Sequence, residues 1–290
     1  MNGTKNPQVI VLASGKGGTG KSTLSINISM ALADLGKRVV ILDANLELPS
    51  IATLLNISPP YTITDLIEGH RSIREVIYNG PKGINLILGS SLPKIMRNLS
   101  HAHHFGIVNA LNAISKELDI LIIDTAPGIN KSTLDFIRAS QEVLLITNSE
   151  PTSLASTNAL IQILSIDYGI QHFRILINRA YDEHEGLRAF NAIQKPNANN
   201  TDLFLNYSGY IHDHKSARIA ASKGQALYEM LPKSEFAQDM KRLAKKIETW
   251  PIREMATGEI EFFMEEIIQK TITGKLTESF IPPEPTTQQL

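Results

Sequence analysis

The chain has 290 residues, 42% of them hydrophobic and 20% charged, so it is long enough to bury a substantial core. Its formal net charge of −1 at pH 7 argues against a large electropositive surface for DNA. It contains no cysteine, which excludes disulfides, thiolate metal sites and cysteine nucleophiles. The first seven residues are polar, and no apolar run approaches the length of a membrane-spanning helix, so we expect a cytoplasmic protein.

Short apolar runs alternate with helical patterns along the first 250 residues. Continuous apolar runs such as 120–123 are typical of strands in a parallel sheet that is covered on both faces. Right-handed crossovers predict an α/β fold, a doubly wound, mostly parallel sheet that binds ligands at the carboxyl ends of its strands. The predicted strands are 8–14, 38–42, 84–88, 119–123, 142–147, 172–178 and 203–211, and the predicted helices are 21–35, 103–117, 131–140, 153–168, 184–194, 215–222 and 234–248.

The first predicted strand is followed by the sequence GKGGTGKST, which satisfies the phosphate-loop pattern GxxxxGK[ST]. Glycines in such a loop let backbone N–H groups surround phosphate oxygens at a helix N-terminus. Lys21 is placed to reach the β- and γ-phosphates, and the Ser22 hydroxyl is placed to bind Mg²⁺. The sequence therefore predicts a nucleoside-triphosphate site built from Gly15, Lys16, Gly17, Gly18, Thr19, Gly20, Lys21, Ser22 and Thr23.

This loop contains an additional lysine, Lys16, that an ordinary phosphate loop does not require. With it, the loop resembles the deviant Walker A loop of the MinD/ParA superfamily of P-loop ATPases. The resemblance implies that the cofactors are ATP and Mg²⁺ and that the chain is a homodimer when ATP is bound. It also implies that Lys16 crosses the dimer interface to the phosphates of the partner subunit. The alternative interpretation of Lys16 is a solvated loop lysine.

The second predicted strand leads into residues 43–50, DANLELPS, which correspond to the DxDxGLxN switch I segment of that family. Asp43 matches the first aspartate, but Asn45 stands where the family has the aspartate that orients or activates the attacking water. An amide can hydrogen-bond to water but cannot act as a general base near neutral pH. We therefore expect a slow Mg-ATPase, with Lys16, Lys21, Asp43 and Asn45 as its catalytic residues.

The strand 119–123 leads into DTAPG, residues 124–128. A carboxylate at this position can hold a Mg²⁺-bound water, and a glycine four residues later lets the backbone approach a γ-phosphate. The segment resembles the Walker B/switch II segment of the MinD family. The predicted Mg²⁺ ligands are Ser22, Asp43 and Asp124, and Gly128 is a predicted nucleotide contact.

Two later segments are candidates for recognition of the base. The strand 172–178 ends in Asn178-Arg179, and an amide can pair with both the donor and the acceptor edge of adenine. The family has its adenine-contacting asparagine at this position. Residues 209–213, GYIHD, resemble the family loop GxIPxD on the other side of the base, with His212 in place of proline and Asp213 as the aspartate.

A narrower resemblance concerns residues 150–154, EPTSL, which are similar to a segment of the FlhG/FleN group of MinD-like ATPases. These proteins limit flagellar number and placement, so the resemblance implies a protein partner in the flagellar system. Only seven residues precede the first strand, so the DQAxxLR element with which many FlhG proteins stimulate a partner GTPase is missing. We do not expect that particular partnership.

The pattern changes after residue 250, and we expect a P-loop ATPase domain at 1–250 and an amphipathic helix with a flexible tail at 251–290. The helix is predicted at 258–272, and the family implies that it targets a membrane. Acidic side chains on its polar face would be repelled by an anionic leaflet, so docking on the protein body or on a partner is the alternative. The apolar face of the predicted helix consists of Ile260, Phe263, Met264, Ile267 and Ile268.

Two other functions stay open at this point. Because Asn45 cannot act as a base, the chain could be a nucleotide-gated binding module that does not hydrolyse ATP. A ParA-type partition ATPase would need exposed basic residues that bind DNA, which the net charge does not favour. Contact with the inner face of the cell membrane is the alternative to a purely cytoplasmic location.

Overall fold

The structure is a computed structural model that describes residues 6–45, 48–89, 101–252 and 262–263. Within these residues, eight strands form a single sheet in the order β3-β4-β2-β5-β1-β6-β7-β8. Neighbouring strands are parallel, except that β3 pairs antiparallel with β4. The strands are β1 (Gln8–Ala13), β2 (Val39–Ala44), β3 (Tyr78–Asn79), β4 (Asn85–Ile87), β5 (Ile120–Thr125), β6 (Glu142–Thr147), β7 (His172–Ala180) and β8 (Phe204–His212).

Helices cover both faces of the sheet, and several begin at a side-chain cap. Asn130, Asp182 and Ser234 each accept a hydrogen bond from a backbone N–H of the first turn that follows. The helices are α1 (Lys21–Asp34), α2 (Ile51–Leu55), α3 (Ile63–Ile67), α4 (Ile73–Val76), α5 (His101–Asn112), α6 (Lys131–Ala139), α7 (Pro151–Tyr168), α8 (Glu183–Gln194), α9 (Ser216–Ser222), α10 (Leu227–Met230) and α11 (Glu235–Ile247).

The core consists of two apolar layers, one on each face of the sheet. Successive side chains of a strand point to opposite faces, so Val9 and Val11 of β1 pack with α5, α6, α7 and α8. Ile10 and Leu12 of the same strand pack with α1, α10 and α11. All four side chains are fully buried, as expected for a central parallel strand covered on both sides.

The predicted fold is confirmed, and each of the seven predicted strands is present within two residues of its bounds. The short elements β3, α2, α3, α4 and α10 were not predicted, because segments of two to five residues carry no clear periodicity. The helix predicted at 103–117 ends earlier, at Asn112, and a 3₁₀ turn follows at Ser115–Glu117. No helix in the described part of the chain has the length and apolar character needed to cross a membrane.

Of the helix predicted at 258–272, only Phe262 and Phe263 lie within the described residues. They form a turn, and Phe263 has φ 60°, which is left-handed backbone. The prediction of a continuous right-handed helix through this point is therefore wrong. Both aromatic side chains are buried in the layer that contains α5 and α6. The rest of the predicted helix and the tail lie outside the described residues, and the division at residue 250 stays a prediction.

Candidate nucleotide site

The site lies at the point where the strand order of the sheet reverses. β1 is flanked by β5 on one side and β6 on the other, and a crevice forms at the carboxyl ends of strands at such a switch point. The loop after β1 carries the phosphate-loop sequence. On the next two strands, β5 and β2, Asp124 and Asp43 occupy the same register position. Residues that are 81 positions apart in sequence therefore meet beside the phosphate loop.

Left-handed backbone shapes the phosphate loop before α1 begins. Gly18 has φ 79° and Gly20 has φ 92°, conformations that L side chains rarely adopt. A Cβ on Gly20 would also collide with the side-chain amide nitrogen of Asn178, and a Cβ on Gly15 would collide with the backbone of Ser156 in α7. The turn therefore requires glycine at positions 18 and 20, and close packing of the loop against α7 and β7 requires glycine at positions 15 and 20.

Lys21 is the first residue of α1, and it is buried in the loop. Its Nζ donates to Ser14 Oγ at 3.0 Å, and Ser14 Oγ donates to the carbonyl of Lys16 at 2.9 Å. Burial lowers the pKa of the Lys21 ammonium, and the nearby Asp124 carboxylate offsets part of that shift. Burial of a lysine ammonium is unfavourable unless anionic groups surround it, which fits a binding site for phosphates.

The two buried aspartates make the electrostatics of the site unusual. Asp43 and Asp124 are fully buried side by side. Burial and the neighbouring Asp124 raise the pKa of Asp43 to about 8, although backbone N–H groups of Asn45, Ser50 and Ile51 donate to its carboxylate. Burial likewise raises the pKa of Asp124, whose Oδ2 has no hydrogen-bond partner among the described residues. Two adjacent carboxylates of this kind fit a divalent cation.

Serine hydroxyls line the same space. Ser50 Oγ donates to Ser22 Oγ at 2.8 Å, and hydrogen bonds from Ser22 and Ser25 to Asp124 lower the pKa of that carboxyl in part. Ser22, Asp43 and Asp124, the predicted Mg²⁺ ligands, are therefore close together. Ser14 and Ser25 were not predicted. Their positions in the chain could have indicated them, because Ser14 directly follows β1 and Ser25 lies one helical turn after Lys21.

Asn45 lies next to the aspartates, half-buried. Its backbone N–H donates to Asp43 Oδ1 at 3.2 Å, and its side-chain Nδ2 donates to the carbonyl of Leu48 at 2.7 Å. The hydrogen-bond network thus assigns the amide nitrogen to Leu48 and leaves the amide oxygen as an acceptor. Gly128, at φ 81°, donates its N–H to the carbonyl of Ser14 at 2.9 Å, which joins the DTAPG segment to the phosphate loop.

Lys16 projects from the loop in a different direction. Its Nζ contacts Glu150 Oε2 and Thr152 Oγ1, each at 2.9 Å, at the start of α7. The side chains of Lys16 and Glu150 are 42% and 58% exposed. An ion pair this exposed contributes little to stability, so it does not commit Lys16 to this position. The exposure leaves Lys16 accessible to a second molecule.

The predicted base-binding residues surround an open cavity of about 150 Å³ beside the phosphate loop. Asn178, Arg179, His212 and Asp213 all line it, together with Gly20. Asn178 Nδ2 donates to the carbonyl of Thr19 at 2.7 Å, and its Oδ1 accepts from the backbone N–H of Arg179 at 3.0 Å. Asn178 therefore holds the phosphate loop in place, a role that the sequence pattern did not suggest.

Comparison with known proteins agrees with this geometry. The sequence model of the ParA family, described as NUBPL iron-transfer P-loop NTPase, matches residues 5–248. The antiactivator FleN of Pseudomonas aeruginosa is 41% identical over 273 residues, which cover 94% of this chain and 98% of FleN. The flagellum site-determining protein YlxH of Helicobacter pylori is 26% identical, with 89% of each chain covered.

The fold also matches solved structures. The septum site-determining protein MinD of Pyrococcus horikoshii, solved as a complex with Mg-ADP, superposes with a TM-score of 0.67. The match covers 84% of this chain and 96% of that one at 20% identity, so it supports the fold alone. Taken with the phosphate loop and the paired aspartates, these similarities show that the chain belongs to the ParA/MinD family of P-loop NTPases and resembles its FleN/FlhG members.

Proposed function

We propose that this chain is an ATP-operated switch of the flagellar system. It binds ATP with Mg²⁺, forms a homodimer in that state, and recruits a protein partner through which flagellar number or placement is regulated. The observation that carries the proposal is the buried Lys21 beside the buried pair Asp43 and Asp124, under a glycine loop. The two carboxylates fit a cation and the ammonium fits an anion, and a Mg²⁺–triphosphate supplies both.

Each part of the nucleotide has a matching group in the site. Backbone N–H groups of the glycine loop and the Lys21 ammonium fit the phosphates. The Ser22 hydroxyl and the two carboxylates fit Mg²⁺, which prefers oxygen ligands. The cavity lined by Asn178 and His212 adjoins the loop and fits the base.

Slow hydrolysis is the second part of the proposal, and it rests on Asn45. With its nitrogen directed to Leu48, the side chain of Asn45 offers only an oxygen to a water molecule. An amide oxygen can orient a water but cannot remove its proton. The chain would therefore hold ATP for long periods, which suits a switch whose output is the ATP-bound state.

The rate test compares the wild-type protein with Asn45→Asp. We expect the carboxylate to raise the single-turnover rate of phosphate release roughly tenfold or more, because it restores a group able to accept a proton. Asn206→Asp on β8, away from the phosphate loop, is the control for an added carboxylate. An unchanged rate in Asn45→Asp would contradict the role of Asn45. No phosphate release from either protein would favour the non-hydrolysing binding module.

The dimer test uses Lys16→Ala. Among the described residues the Lys16 ammonium contacts only Glu150 and Thr152, so loss of this side chain should leave folding and ATP binding by the monomer intact. If Lys16 reaches the phosphates of the partner subunit, the variant stays monomeric with Mg-ATP while the wild type dimerises. Sedimentation velocity with and without Mg-ATP measures this, with Lys195→Ala as the control. A Lys16→Ala variant that dimerises normally would contradict the proposal.

A further inference from the structure

His212 ends β8, at the position where the family loop GxIPxD has proline. Its side chain is 22% exposed, and it lines the cavity of about 150 Å³ together with Gly20 and Asn178. A proline offers no hydrogen-bonding side-chain atom, whereas an imidazole offers two ring nitrogens. The substitution therefore adds a polar group to the wall of the base cavity.

Asp239, from α11, holds this imidazole in one orientation. Asp239 is fully buried, and its Oδ2 lies 2.9 Å from the backbone nitrogen of His212 and 2.7 Å from His212 Nδ1. The ring of Tyr210 packs edge-on against the imidazole at a centroid distance of 5.0 Å. A carboxylate accepts hydrogen bonds only, so the Nδ1 atom carries the proton and Nε2 of the neutral ring keeps its lone pair.

His212 Nε2 is therefore an acceptor with a fixed position on the cavity wall. Among the described residues it has no hydrogen-bond partner of its own. Two of the other polar side chains that line the cavity are already engaged: the amide of Asn178 bonds to Thr19 and Arg179, and His214 Nδ1 accepts from the backbone of Ser216. A base that enters this cavity meets an oriented acceptor at His212.

We propose that His212, oriented by Asp239, selects adenine over 6-oxopurines. The exocyclic 6-amino group of adenine donates to His212 Nε2, whereas the 6-oxo group of hypoxanthine or guanine presents a second acceptor to it. Two opposed acceptors lose the hydrogen bond and leave the imidazole nitrogen unpaired. Asp239 acts as a positioning residue, since it contacts His212 and not the cavity. This inference rests on the proposed binding of ATP.

The test compares ATP with inosine triphosphate, whose base differs from adenine at position 6 and in the proton on N1. Isothermal titration calorimetry with Mg²⁺ at about pH 8 gives both dissociation constants. We expect the wild type to prefer ATP about tenfold, the effect of one half-buried hydrogen bond. His212→Phe keeps a planar ring without the acceptor, and Asp239→Ala releases the ring, so both should bind the two nucleotides within about twofold.

Two further variants separate positioning from a general structural effect. Asp239→Asn retains an oxygen that can accept both bonds from His212, so it should keep the preference for ATP. Arg242→Ala removes the other contact of Asp239, at 3.0 Å from Oδ1, and should also keep it. His212→Phe tests the role of the acceptor even if Asp239→Ala fails to fold.

The outcomes distinguish this inference from the function on which it rests. A wild-type protein that binds neither nucleotide would overturn the proposed function and this inference together. Equal affinity of the wild type for ATP and inosine triphosphate would overturn this inference alone. A preference that survives unchanged in His212→Phe would also overturn it, because the discrimination would then come from another group.

Discussion

Asp43 and Asp124 place two acidic groups next to each other in the buried part of the site. Their carboxylates are withdrawn from water at matching register positions, and each disfavours ionisation of the other. In the unfolded chain both groups are solvated and titrate at ordinary values. Ionisation of the two carboxylates therefore lowers the free energy of unfolding until a cation and a nucleotide are bound. Ligand binding is in this way linked to stability.

The pH dependence of stability follows from the pKa of Asp43, which is raised from 3.8 to about 8. The folded state retains a proton that the unfolded state releases, so the free energy of unfolding falls as pH rises from about 4 to about 8. Asp124→Asn removes the charge next to Asp43. The amide nitrogen can replace Oδ2, which has no partner among the described residues, and the amide oxygen can still accept from Ser25 as Oδ1 does. We expect this variant, free of nucleotide and Mg²⁺, to gain about 1–3 kcal/mol at about pH 8 and to show a shallower slope.

Urea unfolding at several pH values in the presence of a chelator measures both quantities. Asp202→Asn, at an exposed position, is the control, and its slope should match that of the wild type. The same Asp124→Asn variant should lose Mg²⁺-dependent binding of ATP, because one of the paired carboxylates is gone. An Asp124→Asn protein with the wild-type slope would show that the two carboxylates do not repel each other in the folded state.

The junction between the phosphate loop and α1 is constrained by both backbone and packing. Gly20 immediately precedes the helix at φ 92°, and Leu24 donates its N–H to the carbonyl of Gly20 at 2.9 Å, which begins the helical hydrogen bonds. Asn178 contacts the same point from β7 and fixes the carbonyl of Thr19. The element that positions Lys21 and Ser22 is therefore held from two strands, β1 and β7.

Gly20→Ala tests this junction against Gly36→Ala, a matched control. Both glycines have left-handed backbone, at φ 92° and φ 80°, so both substitutions cost about 1 kcal/mol of conformational strain. Only at Gly20 would the new Cβ collide with Asn178, since no atom lies within 4 Å of the corresponding position at Gly36. We expect Gly20→Ala to abolish ATP binding by calorimetry and Gly36→Ala to retain it. Equal ATP affinity in the two variants would contradict the steric argument.

At the scale of the whole molecule, the aromatic pair Phe262 and Phe263 is part of the core. Phe262 donates its N–H to the carbonyl of Ala139 at 3.3 Å, and Phe263 donates to Asn112 Oδ1 at 2.7 Å. Both side chains are 1% exposed. These contacts dock Phe262 and Phe263 on the protein's own body, which favours one of the two alternatives that the acidic polar face of the predicted helix left open.

Phe263→Ala should therefore lower the free energy of unfolding by about 3–5 kcal/mol, the usual cost of removing a buried phenylalanine side chain. Phe204→Ala is the control, because Phe204 is 52% exposed and stacks on His172 at the edge of the sheet. We expect the control to lose about 1 kcal/mol or less. Chemical denaturation of the full chain measures both, and a loss of similar size in the two variants would contradict the burial of Phe263.

Much of the fold and part of the site could be predicted because their signals are local. The strands β1, β5 and β6 each contain a continuous apolar run, and the phosphate loop with its flanking strand and helix is one contiguous segment. Short elements such as β3 and α10 could not be predicted, because a pattern needs more residues than they contain. The helix at 258–272 was predicted from helical spacing of apolar residues. The backbone at Phe263 is left-handed, and both phenylalanines are buried, which the spacing alone does not indicate.

The sequence by itself determined the family, the doubly wound sheet and the presence of a phosphate-binding loop, because each depends on residues adjacent in the chain. Only the tertiary structure decided which distant side chains meet: Asp43 with Asp124 through strand register, Asn178 with Thr19 across the loop, and His212 with Asp239 through packing of α11. The physical reason is that register and helix packing depend on the burial of whole apolar faces. A motif along the chain does not indicate which distant side chains such burial brings into contact.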